Sequence, residues 1–166
     1  MRTVAKTDTV KKTSRRRAAE EILPPEAASL RYIESSALLA ALLEQDAEAL
    51  DALRAVGQRV TSALTLTEAA RALLRARVTR RITPADERTA LRALRRFERR
   101  CAVVSVTEAV LTRDGRQFPV EPIRSLDGIH LATLELLGEA PQLVTVVTRD
   151  ERVARNARAL GYAVAW

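Results

Sequence analysis

The stretch LVTVVTRDERVARNARALGYAVAW, residues 143–166, decides the fold class of this chain of 166 residues. It begins with the apolar run LVTVV, continues through a more polar segment from Glu151 to Leu160, and ends with a second apolar run, YAVAW. The two apolar runs have the length and the β-branched content of strands, and Gly161 is typical of the position that follows a helix. The stretch therefore predicts a strand, a helix and a strand in succession.

The same alternation extends upstream to Leu30. Three further apolar runs predict strands: LRYI (30–33), RVTSAL (59–64) and CAVVSV (101–106). Further helices are predicted over Ser36–Val56, Leu66–Arg77, Pro84–Arg100 and Ile123–Leu137. Alternating strands and helices predict an α/β fold with three layers, in which helices cover both faces of a central, mostly parallel sheet.

Length and composition favour a single folded domain, which we place at residues 30–166. A hydrophobic content of 47% over 166 residues supports one sizeable core. Cys101 is the only cysteine, so the chain has no internal disulfide, and no apolar run reaches the roughly 20 residues of a transmembrane helix. The sequence also lacks the glycine-rich GxGxxG and GxxxxGKS/T motifs of nucleotide sites. We expect a cytoplasmic protein that does not contact a membrane.

The charge of the chain is strongly positive, with a net charge of +7 and a pI near 10.6. Such a balance favours contact with a polyanion such as nucleic acid. The arginines of one predicted helix either contact phosphates or form a solvated face paired with local glutamates: Arg92, Arg95, Arg96, Arg99 and Arg100. Residues 1–29 are polar and basic, and they predict a flexible arm; a start site placed too far upstream is the alternative interpretation.

Four acidic residues stand where the predicted fold brings chain segments together. Glu34 directly follows LRYI, Glu68 lies in the predicted first turn of a helix, Asp127 lies within IRSLDGIHLATLELLG, and Asp150 directly follows LVTVVTR. Ligand sites of open α/β sheets lie beyond the carboxyl ends of the strands, where the strand order reverses. Each acid also has a structural interpretation: a favourable helix-end charge for Glu68, a helix N-cap for Asp150, and an ion pair with Arg124 for Asp127.

Converging carboxylates repel one another unless a cation lies between them. Oxygen ligands suit Mg²⁺ or Mn²⁺ better than zinc, and the sequence offers neither a cysteine pair nor a histidine pair. Such ions activate water and neutralise charge on a phosphodiester, which is the chemistry that hydrolysis of nucleic acid requires.

At these residues the sequence resembles the PIN-domain family, and within it the VapC toxins of bacterial toxin–antitoxin pairs. The resemblance runs from about Leu30 to Trp166 and is carried by four segments in order: YIESSALL, LTLTEAARAL, RSLDGIHLATL and VVTRDERVARNARALGYAV. One departure is Glu34, because the family usually has an aspartate at this position. The longer side chain still reaches a metal ion, but it changes the coordination geometry and bears on activity or metal preference.

The resemblance implies a metal-dependent endoribonuclease that acts on RNA with Mg²⁺ or Mn²⁺. It further implies a homodimer and a cognate VapB-like antitoxin that covers the active groove. The implied metal ligands and catalytic residues, followed by the two hydroxyls that assist them, are Glu34, Glu68, Asp127 and Asp150, with Ser36 and Thr148. Apolar helix surface over residues 38–56 and 66–74 either serves these protein contacts or faces the core.

Two other functions stay open on the sequence alone. A catalytically impaired PIN-like module would bind RNA or protein without cutting, and a flavodoxin-like signalling domain would use Glu34 and Asp150 only to cap turns. The single histidine, His130, lies three residues after Asp127 and is either an acid or base or a hydrogen-bonded core residue. Cys101 opens an apolar run and is expected in the core.

Overall fold

The described part of the chain comprises residues 30–165 of a computed structural model. The predicted arm of residues 1–29 lies outside the described residues, as does Trp166, which the sequence assigned to the last strand. Among the described residues, no helix combines the length and the apolar character needed to cross a membrane.

A five-stranded, fully parallel sheet forms the centre of the molecule, in the order β3-β2-β1-β4-β5. Its strands are β1 (Leu30–Ile33), β2 (Gln58–Ser62), β3 (Ala102–Val104), β4 (Val144–Val147) and β5 (Ala163–Ala165). The central strand β1 pairs with β2 on one side and with β4 on the other. The strand order therefore reverses at β1, and the carboxyl ends of β1 and β4 meet at the switch point where such sheets bind ligands.

Within residues 30–165, seven α-helices flank this sheet, together with one π-helical turn (Ala40–Glu44) and one 3₁₀ turn (Pro141–Leu143). The α-helices are α1 (Ser35–Leu39), α2 (Ala47–Arg54), α3 (Ala63–Val78), α4 (Pro84–Glu98), α5 (Glu108–Asp114), α6 (Ser125–Glu135) and α7 (Glu151–Ala159). Helix α5 was not predicted from the sequence. Thr107 caps the start of this helix, because its hydroxyl accepts a hydrogen bond from the Val110 amide at 3.4 Å.

The core is divided between the two faces of the sheet. Successive strand residues point to opposite faces, so Tyr32 packs in one apolar cluster and Ile33 in the other. The Tyr32 cluster contains buried residues of α5, α6 and α7, and the Ile33 cluster contains buried residues of α1, α3 and α4. These two clusters confirm the predicted α/β fold with helices on both faces of a parallel sheet.

The predicted single helix over Ser36–Val56 is wrong, because the chain leaves the helical path at Gln45. Gln45 adopts a left-handed conformation with φ of 51°, and the Asp46 carboxylate then accepts a hydrogen bond from the Ala49 amide at 2.9 Å to begin α2. Arg149, just beyond β4, holds this break through contacts of 3.0 Å to both Glu44 and Asp46. A residue distant in sequence therefore stabilises the turn.

The predicted strand over residues 59–64 also ends early. The Ser62 hydroxyl accepts a hydrogen bond from the Leu64 amide at 3.2 Å, so α3 begins at Ala63. Glu68 consequently lies in the second turn of α3, not in the first turn as predicted. Apart from the start of α3, three residues before the predicted Leu66, the other predicted strands and helices agree with the observed bounds to within two residues, as far as the described residues extend.

Candidate metal centre

The four predicted acids lie together at the switch point of the sheet. Glu34 directly follows β1, Asp150 directly precedes α7 after β4, Glu68 projects from α3, and Asp127 lies in the first turn of α6. We call these four residues the acidic site. The charges of Asp150 and Glu34 both act on Asp127, so these three carboxylates lie close enough to interact electrostatically.

Glu34 is buried, with only 4% of its surface exposed, yet its carboxylate is fully supplied with donors. Oε1 accepts a hydrogen bond from the Ser35 hydroxyl at 2.5 Å. Oε2 accepts hydrogen bonds from the Ser36 amide at 3.0 Å, from the Thr148 hydroxyl at 2.8 Å and from the Ser36 hydroxyl. Because several donors face it, hydrogen bonds offset the cost of burying this carboxylate.

Ser36 and Thr148, the two predicted supporting residues, connect Glu34 to the turn after β4. The Ser36 hydroxyl accepts hydrogen bonds from the backbone amides of Arg149 at 2.7 Å and Asp150 at 3.1 Å. The Thr148 hydroxyl accepts a third bond, from the Asp150 amide at 3.0 Å. The two hydroxyls therefore fix the position of Asp150 relative to Glu34.

Glu68 is held by the single histidine of the chain. His130 Nε2 lies 2.8 Å from Glu68 Oε2 and 3.7 Å from Glu34 Oε1. Burial raises the pKa of the Glu68 carboxyl, but the hydrogen bond from His130, and after it the charge that this ring carries when protonated, outweigh burial and hold the pKa below its usual value. Glu68 is therefore an ionised carboxylate within the acidic site.

His130 belongs to the site more directly than the sequence indicated. Its side chain is buried, and one ligand atom from each of Glu34, Glu68 and His130 lies within 4.8 Å of the other two, close enough for one metal ion. Asp127 and Asp150 fall outside that group of three. The only signal in the sequence was the spacing of three residues between Asp127 and His130 on one helix.

Asp127 differs from Glu34 because one of its oxygens has no partner. Oδ2 is buried and accepts no hydrogen bond. Burial, and after it the charge of Asp150, raises the pKa of the Asp127 carboxyl above its ordinary value. Arg124 acts on Asp127 electrostatically, but no salt bridge joins the two described residues, and a site for a cation would leave such an oxygen without a partner.

Asp150 combines a structural role with its place in the site. Its Oδ1 caps α7 by accepting hydrogen bonds from the amides of Arg152 at 2.7 Å and Val153 at 3.3 Å. Its Oδ2 lies 3.7 Å from the Arg152 guanidinium. The predicted N-cap is therefore confirmed, and the same carboxylate acts electrostatically on Asp127.

Two other features considered from the sequence lie apart from the acidic site. Cys101 precedes β3 and is half-buried, and burial raises the pKa of its thiol to about 11, which disfavours the reactive thiolate. A groove of about 660 Å³ runs between α4 and the segment from Leu38 to Arg54, and its lining includes none of the four acids. Of residues 66–74, Ala69 and Leu73 are fully buried in the core, whereas Leu74 is exposed.

Comparison with known proteins agrees with this geometry. A model of the PIN domain family matches residues 31–159. Ribonuclease VapC35 of Mycobacterium tuberculosis is 34% identical over 137 residues, which cover 80% of this chain and 93% of the relative. Ribonuclease VapC46 of the same organism is 37% identical over 136 residues, which cover 80% of this chain and 94% of the relative. The chain belongs to the PIN-domain family, as the resemblance in its sequence implied.

A solved structure shows the same fold at low sequence identity. In the crystal structure of VapBC2 from Rickettsia felis bound to a DNA fragment from their promoter, one chain matches with a TM-score of 0.59 and 10% identity. The match covers 81% of this chain and 96% of that chain. At this identity the likeness supports the fold alone.

Proposed function

We propose that this protein is an endoribonuclease that hydrolyses RNA phosphodiester bonds, and that it is the toxin of a VapBC-like toxin–antitoxin pair. The named relatives are ribonucleases, and this chain covers more than nine-tenths of their length. The observation that carries the proposal is the buried, unpartnered Oδ2 of Asp127 beside the charges of Asp150 and Glu34. Such an arrangement stabilises a bound cation and is costly without one.

We assign the metal ligands and catalytic residues to the acidic site, with Mg²⁺ or Mn²⁺ as the ion. When bound, such an ion supplies a water of lowered pKa and neutralises charge that develops on the phosphodiester. The chain itself orients the carboxylates: Ser36 and Thr148 hold Glu34, and the same hydroxyls hold the Asp150 amide. Glu34, in place of the usual aspartate, fits this assignment because its longer side chain reaches three hydroxyl donors while it stays in the site.

A cleavage assay tests the proposed activity. Purified protein, free of antitoxin, is incubated with a mixed RNA pool and Mg²⁺ or Mn²⁺, beside an EDTA control and the Asp127→Asn variant. We expect cleavage that EDTA abolishes and that Asp127→Asn lowers by at least about 100-fold, the scale of a lost electrostatic contribution to catalysis. Asp51→Asn, the same change at an exposed position of α2, is the matched control and should cut normally.

Two outcomes would contradict the proposal. Cleavage that persists in EDTA, or that Asp127→Asn leaves unchanged, would place the activity outside the acidic site. Wild-type protein that binds RNA and never cuts it would favour the RNA-binding or protein-binding module instead.

We also propose a VapB-like antitoxin and a second copy of this chain as partners, acting in the cytoplasm. The fold neighbour is part of a VapBC complex, which supports the antitoxin. The groove beside α4 offers an apolar surface for it, lined by Leu38, Leu42, Leu50, Leu53, Ile82 and Phe97. Co-expression with the product of an adjacent small reading frame, followed by size-exclusion chromatography with light scattering, tests both partners.

A further inference from the structure

Three buried or half-buried side chains from three different elements form a hydrogen-bonded chain that ends in the acidic site. The Tyr32 hydroxyl of β1 lies 3.1 Å from His130 Nδ1 on α6, and His130 Nε2 lies 2.8 Å from Glu68 Oε2 on α3. Tyr32 and His130 are each only 1% exposed. Their rings also pack edge to face, with an interplanar angle of 73° and centroids 6.3 Å apart.

We propose that His130 is a positioning residue for the metal centre. Its Nε2–H group donates a hydrogen bond to Glu68, and the Tyr32 hydroxyl fixes the ring tautomer that carries the proton on Nε2. This inference rests on the proposed function, because it concerns the same metal centre. It assigns His130 an orienting role and excludes it as a direct metal ligand.

The directions of the hydrogen bonds follow from which groups carry protons. An ionised Glu68 carboxylate can only accept, so the proton in its contact with His130 belongs to Nε2. With this proton on Nε2, Nδ1 offers its lone pair to the Tyr32 hydroxyl and accepts its hydrogen bond.

This arrangement separates His130 from the metal ligands although it lies among them. A metal ion binds the lone pair of a ring nitrogen, and both ring nitrogens are already engaged: Nε2 carries a proton and Nδ1 faces Tyr32. Glu68 uses one of its carboxylate lone pairs for His130 and has others that can bind a cation. Buried partners of this kind typically set the orientation of metal ligands.

The single histidine of the chain makes the tautomer directly measurable. Protein labelled with ¹⁵N-histidine gives one pair of ring nitrogen signals, and long-range ¹H–¹⁵N NMR distinguishes a protonated nitrogen from a bare one. We expect the proton on Nε2 in the wild type. A proton on Nδ1 with a bare Nε2 would overturn the proposal.

Mn²⁺ as the probe then tests the positioning role without any cleavage assay. Electron paramagnetic resonance counts free Mn²⁺, and we expect His130→Leu to weaken Mn²⁺ binding by about 10- to 100-fold, the usual effect of losing a residue that orients a ligand. His130→Gln restores an N–H donor and should recover part of the affinity. Tyr32→Phe keeps the ring and should weaken Mn²⁺ binding by a smaller factor. The matched control is Tyr162→Phe, which changes a buried tyrosine of the same core cluster just before β5 and should have no effect.

The outcomes separate this inference from the proposed function. Pulsed EPR of Mn²⁺-loaded protein that shows coupling to the labelled histidine nitrogen would make His130 a direct ligand and overturn only the inference. Equal Mn²⁺ affinity in folded His130→Leu and wild-type protein would do the same. Wild-type protein that binds no Mn²⁺ would overturn the proposed metal centre itself, and this inference with it.

Discussion

At the scale of single residues, two carboxylates of the acidic site have opposite surroundings. Glu34 is buried and accepts hydrogen bonds from three hydroxyls and one amide. Asp127 is less buried, but its Oδ2 accepts none. Hydrogen bonds offset the burial of Glu34, whereas burial and the charge of Asp150 raise the pKa of Asp127. Of these two carboxylates, Asp127 is therefore the one whose charge is less well compensated in the metal-free protein.

We predict that Asp127→Asn stabilises the metal-free protein at neutral pH. The pKa of Asp127 is raised above 3.8 in the folded chain, so the folded state binds this proton more tightly than the unfolded state does. The ionised carboxylate consequently lowers the free energy of unfolding at neutral pH, and this loss disappears as the pH falls through the raised pKa. In EDTA at pH 7.5 we expect a Tm higher by about 1–3 °C for the variant.

Thermal unfolding followed by circular dichroism checks this prediction at several pH values. The difference in Tm between Asp127→Asn and wild type should shrink as the pH is lowered towards 4. Addition of Mg²⁺ should raise the Tm of the wild type more than that of the variant, because only the state that binds the ion is stabilised. A lower Tm for the variant in EDTA at pH 7.5 would show that Asp127 has a stabilising partner.

At the scale of helices and strands, the sequence predicted the elements well where local patterns decide them. The strands follow from β-branched apolar runs, and Glu34 and Asp150 follow from their places directly after strands. The break at Gln45 was missed because the surrounding alanines and leucines keep helical spacing and the residue is neither glycine nor asparagine. The contacts of Arg149 that hold this break cross about a hundred residues of sequence.

The contact between His130 and Glu68 was missed for the same physical reason. The two residues lie 62 positions apart and meet because α3 and α6 each begin close to the carboxyl end of the sheet. Glu68 reaches this place only because α3 begins three residues earlier than predicted, which moves the acid into the second turn. A local pattern gives no information on such tertiary contacts.

We predict that Gln45→Gly stabilises the protein. Gln45 has a φ of 51°, a left-handed conformation that costs an L-residue roughly 1–2 kcal/mol and glycine almost nothing. Glycine also makes the unfolded chain more flexible, so we expect a net gain of about 0.5 kcal/mol in the free energy of unfolding. Gln45→Ala keeps the strain and is the matched control. Urea denaturation with equal m-values measures both, and a glycine variant no more stable than the alanine variant would refute the strain argument.

At the scale of the whole molecule, a chain with a net charge of +7 presents a cluster of acids to a negatively charged substrate. Metal-free carboxylates repel phosphates, so nearby arginines have to bring the RNA backbone to the site. Arg124 and Arg152 are exposed, and their charges both act on Asp127. Arg92 and Arg95 of α4 are exposed as well, but neither contributes to the pKa shift of Glu68 or of Asp127.

We predict that Arg124 and Arg152 contact phosphates of bound RNA. In an Asp127→Asn background, which keeps the RNA intact, Arg124→Ala and Arg152→Ala should each weaken binding of single-stranded RNA. Each lost phosphate contact should also reduce the slope of log Kd against log salt concentration by about 0.7, because fewer counterions are released. Fluorescence anisotropy from about 50 to about 300 mM salt checks both effects. The matched variants Arg92→Ala and Arg95→Ala should leave the slope unchanged. A smaller slope in the α4 variants alone would contradict this prediction. It would place the bound RNA along the arginine face of α4 instead of beside Arg124 and Arg152.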